Sequence, residues 1–313
     1  MELITGENDK NRRLDRILRK ALPDYPLPLI HKLLRQKKVL VNGKPGKANE
    51  RVDSRMKITV PDSIKLNITQ NHIKPSLRNS NKKKDIEIIW ESEDLIAVNK
   101  PSGIAVHGKD SLDDSLNSYY KDKLPPSLSF KPGPLHRLDK PSSGIVVFSK
   151  SLEGARLFTS LIKERKVKKT YLAVVEGIIK NEETWQDELV RDKEKKKTFI
   201  TKDICGKTAI TMITPIVSEN GLTLIKAQIV TGRTHQIRAQ AASHGHPLAG
   251  DLKYGGKKSS GKNEGKTDFF LHAWKLEFLN EAIEAPVKKA ILNMNPDRFP
   301  DGIYKRLSVG FSS

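Results

Sequence analysis

Residues 135–150, LHRLDKPSSGIVVFSK, constrain this chain more than any other stretch, because a lone carboxylate there runs into a fully apolar segment. Ile145, Val146, Val147 and Phe148 have the β-branched content and the length of a strand buried in a core. Asp139 stands just ahead of it, between Arg137 and Lys140, and a Pro141-Ser142-Ser143-Gly144 turn joins acid to strand. An acid anchored to a core strand, with a cation two residues away, can be held charged and aimed by rigid backbone, as a nucleophile or base must be. The same residues also describe an ordinary turn aspartate, so the rest of the chain has to decide.

The length, 313 residues, predicts about two domains. A hydrophobic content of 36%, with no apolar run of the length a membrane span needs, predicts a protein without a membrane partner. Met1 to Ile4 lead straight into polar residues, so no signal peptide is expected. Cys205 is the single cysteine, which excludes an intrachain disulfide and fits a reducing, cytoplasmic setting. The net charge of +20 calls for a polyanionic partner. Residues 1–84 hold 21 basic and 8 acidic side chains, so most of the excess lies in about a quarter of the chain. The alternative is a basic but inert surface.

Leu14, Ile17, Leu18 and Ala21 recur at helical spacing with arginines on the other faces, and Leu29, Ile30, Leu33 and Leu34 mark a second short helix. Val39 to Val41 reads as a strand turned by Asn42-Gly43, and Met56, Ile58 and Val60 as an alternating strand. This order, with RLDRIL at the start and VLVNGK after the second helix, resembles the small S4-like RNA-binding domain of ribosomal proteins and RNA-modifying enzymes. It departs from that pattern at Lys37-Lys38 and at Asp53-Ser54-Arg55, where glycine-containing turns are usual.

We expect this domain over residues 11–75, a linker over 76–84 ending in Lys82-Lys83-Lys84, and a second domain over 85–313. In the latter, Ile86, Ile88 and Trp90 pair with a strand at 95–98, residues 112–120 are helical, and Ser151 caps a helix carrying Leu152, Ala155, Phe158 and Ile162. The segment 168–177 and the segment 222–230 are strands, 191–197 is a solvated basic loop, and 235–243 is a helix ended by Gly245. Strands with scattered helices and no regular alternation predict an α+β fold, with a largely antiparallel mixed sheet in the second domain.

Three segments there, NKPSGIAVHG at 99–108, HRLDKPSSG at 136–144 and TGRTHQIRAQAASHGHPLAGDLKYGG at 231–256, line up with KKTYLAVVEG and LHAWKLEF. Together they resemble the RluA-type family of RNA pseudouridine synthases over about residues 85–300. Ser142 stands where that family often has threonine. The resemblance implies an isomerase that breaks the glycosidic bond of a uridine in RNA, turns the uracil and rejoins it through carbon-5. It implies no cofactor and no metal, and a substrate in ribosomal RNA first and transfer RNA second.

Carried over by residue, it makes Asp139 the essential carboxylate, Tyr171 the tyrosine that stacks on the base and handles a proton at carbon-5, and Arg233 the arginine paired with the aspartate. Arg137 would fill the gap left by an extruded nucleotide, and His136, His235, Gln236 and Arg238 would contact substrate. The protein is expected to act as a monomer. A protein that binds RNA without turnover, a DNA-binding regulator, a histidine metal site built from His235, His244, His246 and His272, and a serine hydrolase using Ser142 or Ser143 with His136 are the competing readings. Histidine spacings that match no zinc pattern and the absence of a nucleophile elbow weigh against the last two.

Overall fold

Leu14, Ile17 and Leu18 are almost wholly removed from water, and burial of side chains of this size is worth roughly 1.5–3 kcal/mol each, so the apolar stripe decides the first helix. The computed structural model describes residues 1–61, 86–120, 123–201, 206–257, 269–292 and 299–309. The expected linker lies outside them. The chain forms two compact units: Met1–Asp85 with Ser115–Gly133 and Ser149–Ala155, and Ile86–Asp114 with Pro134–Phe148 and Arg156–Ser313. Residues 115–133 and 149–155, which the sequence reading assigns to the second domain, thus cluster with the first.

In the N-terminal unit, β1 (Glu2–Ile4) and β2 (Arg12–Arg13) precede α1 (Leu14–Ala21) and α2 (Leu27–Arg35), followed by β3 (Leu40–Val41), β4 (Lys44–Pro45), β5 (Arg51–Val52) and β6 (Lys57–Thr59). The small sheet runs β1-β6-β3-β4. Asn42 and Gly43, at φ 48° and 81°, make the two-residue β3–β4 turn, whose twist needs positive φ at both positions. Ile30, Leu33 and Leu34 of α2 close the core over Val41 and Ile58. The loop before α1 carries Asp9, which is fully buried. Its carboxylate accepts hydrogen bonds from the Gly6 amide at 2.9 Å, the Ser127 hydroxyl at 2.8 Å and the Leu128 and Ser129 amides at 2.9 and 3.0 Å. Burial works against the charge, but these donors hold the Asp9 carboxyl below its usual range.

The second unit is built on a sheet ordered β13-β12-β14-β15-β11-β16-β10-β8-β7. Its elements in chain order are β7 (Glu87–Glu91), β8 (Leu95–Lys100), α3 (Leu112–Tyr120), β9 (Gly133–Pro134), β10 (Ser143–Ser149), α4 (Leu152–Lys163), β11 (Lys168–Glu176), β12 (Glu183–Asp192), β13 (Lys197–Thr201), β14 (Lys207–Glu219), β15 (Leu222–Ile229), α5 (Gln236–Ser243), β16 (Leu271–Phe278), β17 (Glu281–Glu284), α6 (Val287–Leu292) and α7 (Asp301–Val309). Helices α3 and α4 begin in one unit and end in the other. The ladders from β11 through β15 and β14 to β12 and β13 are antiparallel, whereas β10 and β16 run parallel, which gives the mixed α+β fold expected. The basic stretch 191–197 is a turn only at its centre: Asp192 pairs with Lys197 across a β12–β13 hairpin, so its ends belong to strands. No helix among the described residues is long and apolar enough to cross a membrane.

Every residue of β10 is buried, as an apolar run packed on both faces requires. Gly144 sits at φ +107°, and a Cβ there would come within 2.3 Å of the Ala273 carbonyl oxygen. Only glycine lets β10 approach β16 so closely. Ser143 then donates its hydroxyl to Nδ1 of the fully buried His272 on β16, at 2.9 Å. This anchored strand end sets the position of Asp139, four residues upstream.

Candidate active site

Asp139 lies on a cavity of about 550 Å³ lined also by Arg137, Lys169, Tyr171, Arg233 and His235. The strand β11 supplies Lys169 and Tyr171, the segment before β10 supplies Arg137 and Asp139, and the turn before α5 supplies Arg233 and His235. Tyr171 is 8% exposed. Burial, and then the negative charge of Asp139, push its phenol well above the usual range, so it stands in the site as a protonated ring. Burial draws the Lys169 ammonium down to about 8.

The cation paired with Asp139 is Arg238, which corrects the expectation of Arg233. An Nη1–H of Arg238 donates to Asp139 Oδ2 at 2.9 Å, while Nε–H and Nη2–H fork onto Asp251 at 2.6 and 2.8 Å. Phe269 and Tyr254 lie against the guanidinium, 4.5 and 4.9 Å from ring centre to its carbon. Burial disfavours the charge, but Asp251 and Asp139 more than offset it and raise the Arg238 pKa. Arg233 belongs to the exposed turn and gives its Nε–H to the Thr208 carbonyl at 3.1 Å. The reason is backbone phase: Arg233 precedes α5, whereas Arg238 lies within that helix, all but the last two residues of which are buried.

Three other expected substrate contacts are also turned inward. Gln236 accepts from the Arg233 amide at 3.0 Å and donates to the Ile210 carbonyl at 3.0 Å, so it ties the turn to β14. His136 Nε2 accepts the Val147 amide hydrogen at 3.1 Å and its Nδ1 is sealed from solvent. Burial, and then Lys169, hold that ring well below the usual histidine range. Arg238 itself is 5% exposed and faces carboxylates. Of that set His136, Arg137 and His235 line the cavity, Arg137 being exposed, whereas Gln236 and Arg238 do not.

The rival hydrolase arrangement is not what the structure brings together. Ser143 meets His272 and not His136, and the other nitrogen of His272 faces the Ala285 carbonyl at 3.4 Å rather than, among the described residues, a carboxylate. Sequence reasoning missed Asp251, Tyr254, Arg191 and Lys100. Lys100 is fully buried and gives its ammonium to the Pro101 and Ile104 carbonyls at 2.9 and 2.8 Å and, at 3.3 Å, to the carbonyl of Lys140, next to Asp139. Burial draws it down to about 7, against the pull of Asp139.

Comparison with known proteins agrees with this geometry. Residues 94–243 match the family model described as RNA pseudouridylate synthase, and residues 12–58 match the S4 domain. An uncharacterized RNA pseudouridine synthase of Aquifex aeolicus is 33% identical over 82% of this chain and 80% of its own. A ribosomal large subunit pseudouridine synthase C of Rickettsia bellii is 35% identical over 82% of this chain and 87% of its own. Among solved structures, human RNA pseudouridylate synthase domain containing 4 shares the fold, with a TM-score of 0.54 at 22% identity over 64% of this chain and 87% of that one. A half-buried carboxylate bonded to an arginine, in a cavity lined by cations, thus sits in a chain that also carries an S4 domain, belongs to the RNA pseudouridylate synthase family and is an RNA-modifying isomerase.

Proposed function

We propose that this enzyme isomerises uridine in large-subunit ribosomal RNA and that Asp139 is its essential carboxylate. The observation that carries the reading is the placement of Asp139 on a cavity with cations along its wall, gripped by an arginine that is itself locked to a buried acid. In the reaction the bond from ribose C1′ to N1 breaks, the bond from C1′ to C5 forms, C5 loses a proton and N1 gains one. Nothing is added or removed overall, so one carboxylate and a shielded pocket suffice. A base can reach such a pocket only when lifted out of its stack. Arg137 is the exposed cation suited to stack in the gap left behind. Tyr171, which keeps its own proton, can stack on uracil and donate a hydrogen bond; taking the C5 proton would require it to ionise first.

The N-terminal unit supplies placement through phosphate contacts rather than chemistry. Ribosomal RNA is favoured over transfer RNA because several relatives at about 30% identity carry large-subunit names. This reading puts the enzyme in the cytoplasm, where a lone Cys205 stays reduced. Mapping pseudouridines in cells with and without the gene tests it. Loss of one or more sites from large-subunit ribosomal RNA, restored by the wild-type gene, is the expected result. Loss confined to transfer RNA would overturn the substrate assignment.

A further inference from the structure

His235 occupies a left-handed backbone position, φ 54° and ψ 26°, between the exposed turn and the first residue of α5. Such a conformation is costly for any residue but glycine, although histidine tolerates it better than most. It sets both ring nitrogens in defined company. Nδ1 lies 2.8 Å from the Tyr254 hydroxyl and 3.4 Å from Nη1 of Arg191. A guanidinium can only donate, so Nδ1 is the nitrogen with the lone pair. The Tyr254 oxygen already accepts the Thr198 amide hydrogen at 2.9 Å, which leaves its single proton for Nδ1. A neutral imidazole with its lone pair at Nδ1 carries its hydrogen at Nε2. That atom faces Asp139 Oδ2 at 3.5 Å, long for a hydrogen bond, as catalytic contacts commonly are before substrate binds.

Arg238 reaches the same oxygen, Oδ2. Among the described residues Oδ1 accepts no hydrogen bond. Resting on the reading of Asp139 as the reacting carboxylate, we propose that His235 is a positioning residue whose tautomer is set by Tyr254 and Arg191, and that it and Arg238 hold Oδ2 so that Oδ1 is the oxygen presented to the nucleotide. Two donors, one capping α5 and one within it, restrict the carboxylate where one would leave it free to rotate. The groups facing the ring are consistent with a neutral donor: burial lowers its pKa to about 4, Asp139 pulling it up and Arg238, Arg191 and Lys253 pushing it down.

The test is single-turnover reaction at saturating enzyme and about neutral pH, followed by tritium release from carbon-5 of uridine in a large-subunit ribosomal RNA transcript. His235→Ala should slow the step by about tenfold to a hundredfold with RNA affinity unchanged. His235→Gln, whose terminal amide nitrogen can stand in for Nε2, should recover most of that loss. Tyr254→Phe is the more specific variant. It removes the nearer of the two donors to Nδ1 and leaves only Arg191 at 3.4 Å, so the ring is less firmly held with its hydrogen at Nε2 and can turn a lone pair against Oδ2. Its single-turnover rate at neutral pH should therefore fall severalfold, with RNA affinity unchanged. A His235→Ala enzyme of normal single-turnover rate, a Gln variant no better than Ala, or a Tyr254→Phe enzyme of wild-type rate would each overturn the proposal. If His235→Ala does not fold, the other two variants decide. Turnover by Asp139→Asn on the same transcript would instead remove the reading on which the proposal rests.

Discussion

Asp251 holds Arg238 through two parallel hydrogen bonds, and the remaining edge of the same guanidinium points at Asp139. Asp251 restricts how an arginine can lie, and the arginine restricts the carboxylate of Asp139. A planar fork does this, whereas an ammonium of equal charge would not. Arg238→Lys should then lower single-turnover rate by about a hundredfold or more while RNA affinity changes little, and Arg233→Lys, at an exposed turn residue bonded to a carbonyl, should lower it only severalfold. Rates at saturating enzyme beside equilibrium binding make the comparison, and equal losses in the two variants would contradict the assignment.

Asp251→Asn removes the charge beneath that arrangement. Removing one partner of a buried ion pair costs up to about 3–5 kcal/mol, and Asp139 still offsets part of the Arg238 charge, so the variant should lose less than that full amount and unfold at a lower urea concentration. Denaturation with an unchanged slope and a lowered midpoint is the expected observation.

Asp139→Asn keeps the size of the side chain and some of its hydrogen bonding. The variant should fold, bind RNA as the wild type does, and lose at least about a thousandfold in tritium release, the scale on which loss of a reacting group is felt. Residual turnover near the wild-type level would remove Asp139 from the chemistry.

Acid should weaken the fold from an unexpectedly mild pH. His272 is buried with a pKa lowered to about 4, by burial against the pull of the Ala285 carbonyl, while in the unfolded chain it titrates near 6.5. Below about 6.5 the unfolded state takes up a proton that the folded state refuses. The contribution of neutral His272 is thus complete above that pH and is lost as pH falls toward 4, at about 1.4 kcal/mol per pH unit. His136 adds a loss of the same sign. Urea unfolding at pH 7.5, 6 and 5 should show the decline, and a His272→Gln variant should show a shallower one.

Gly144→Ala would force a Cβ against the Ala273 backbone at a positive φ. Because β10 and β16 are both central strands, the expected outcome is loss of stability by at least about 2 kcal/mol and a displaced Asp139, seen as a lower melting temperature together with a lower single-turnover rate.

The parts of this fold that were readable in the sequence are those whose cause is local. Apolar spacing marked α1 and α2, Asn42-Gly43 marked its hairpin, residues 112–120 matched α3, and Leu152, Ala155, Phe158 and Ile162 behind Ser151 marked α4. Strands β12 and β14 were passed over because their alternation is broken by polar residues at half-buried positions. In the site, Asp139 was visible as an acid ahead of an apolar strand, but Arg233 and Arg238 lie five residues apart in one stretch, and only their place relative to the start of α5 separates them. A signal was present. Arg238 is the one charged residue in QIRAQAAS, and Asp251 is the first acid after Glu219. A lone arginine among buried residues needs a carboxylate. The His235–Tyr254 contact was not legible, since it depends on how a hairpin returns Thr198 to the hydroxyl of Tyr254.

Asp9 finds most of its partners 118 to 120 residues further along the chain, and Asn8 accepts the amide hydrogen of Leu152. During translation, at about 5–20 residues per second, the first loop therefore waits on the order of ten seconds for the segment that completes it. The basic helices emerge first, beside the ribosome's own RNA, yet their unit is sealed only after the strand bearing Asp139's anchor has been made. The N-terminal unit thus reaches its finished form no earlier than the first strands of the unit that carries Asp139.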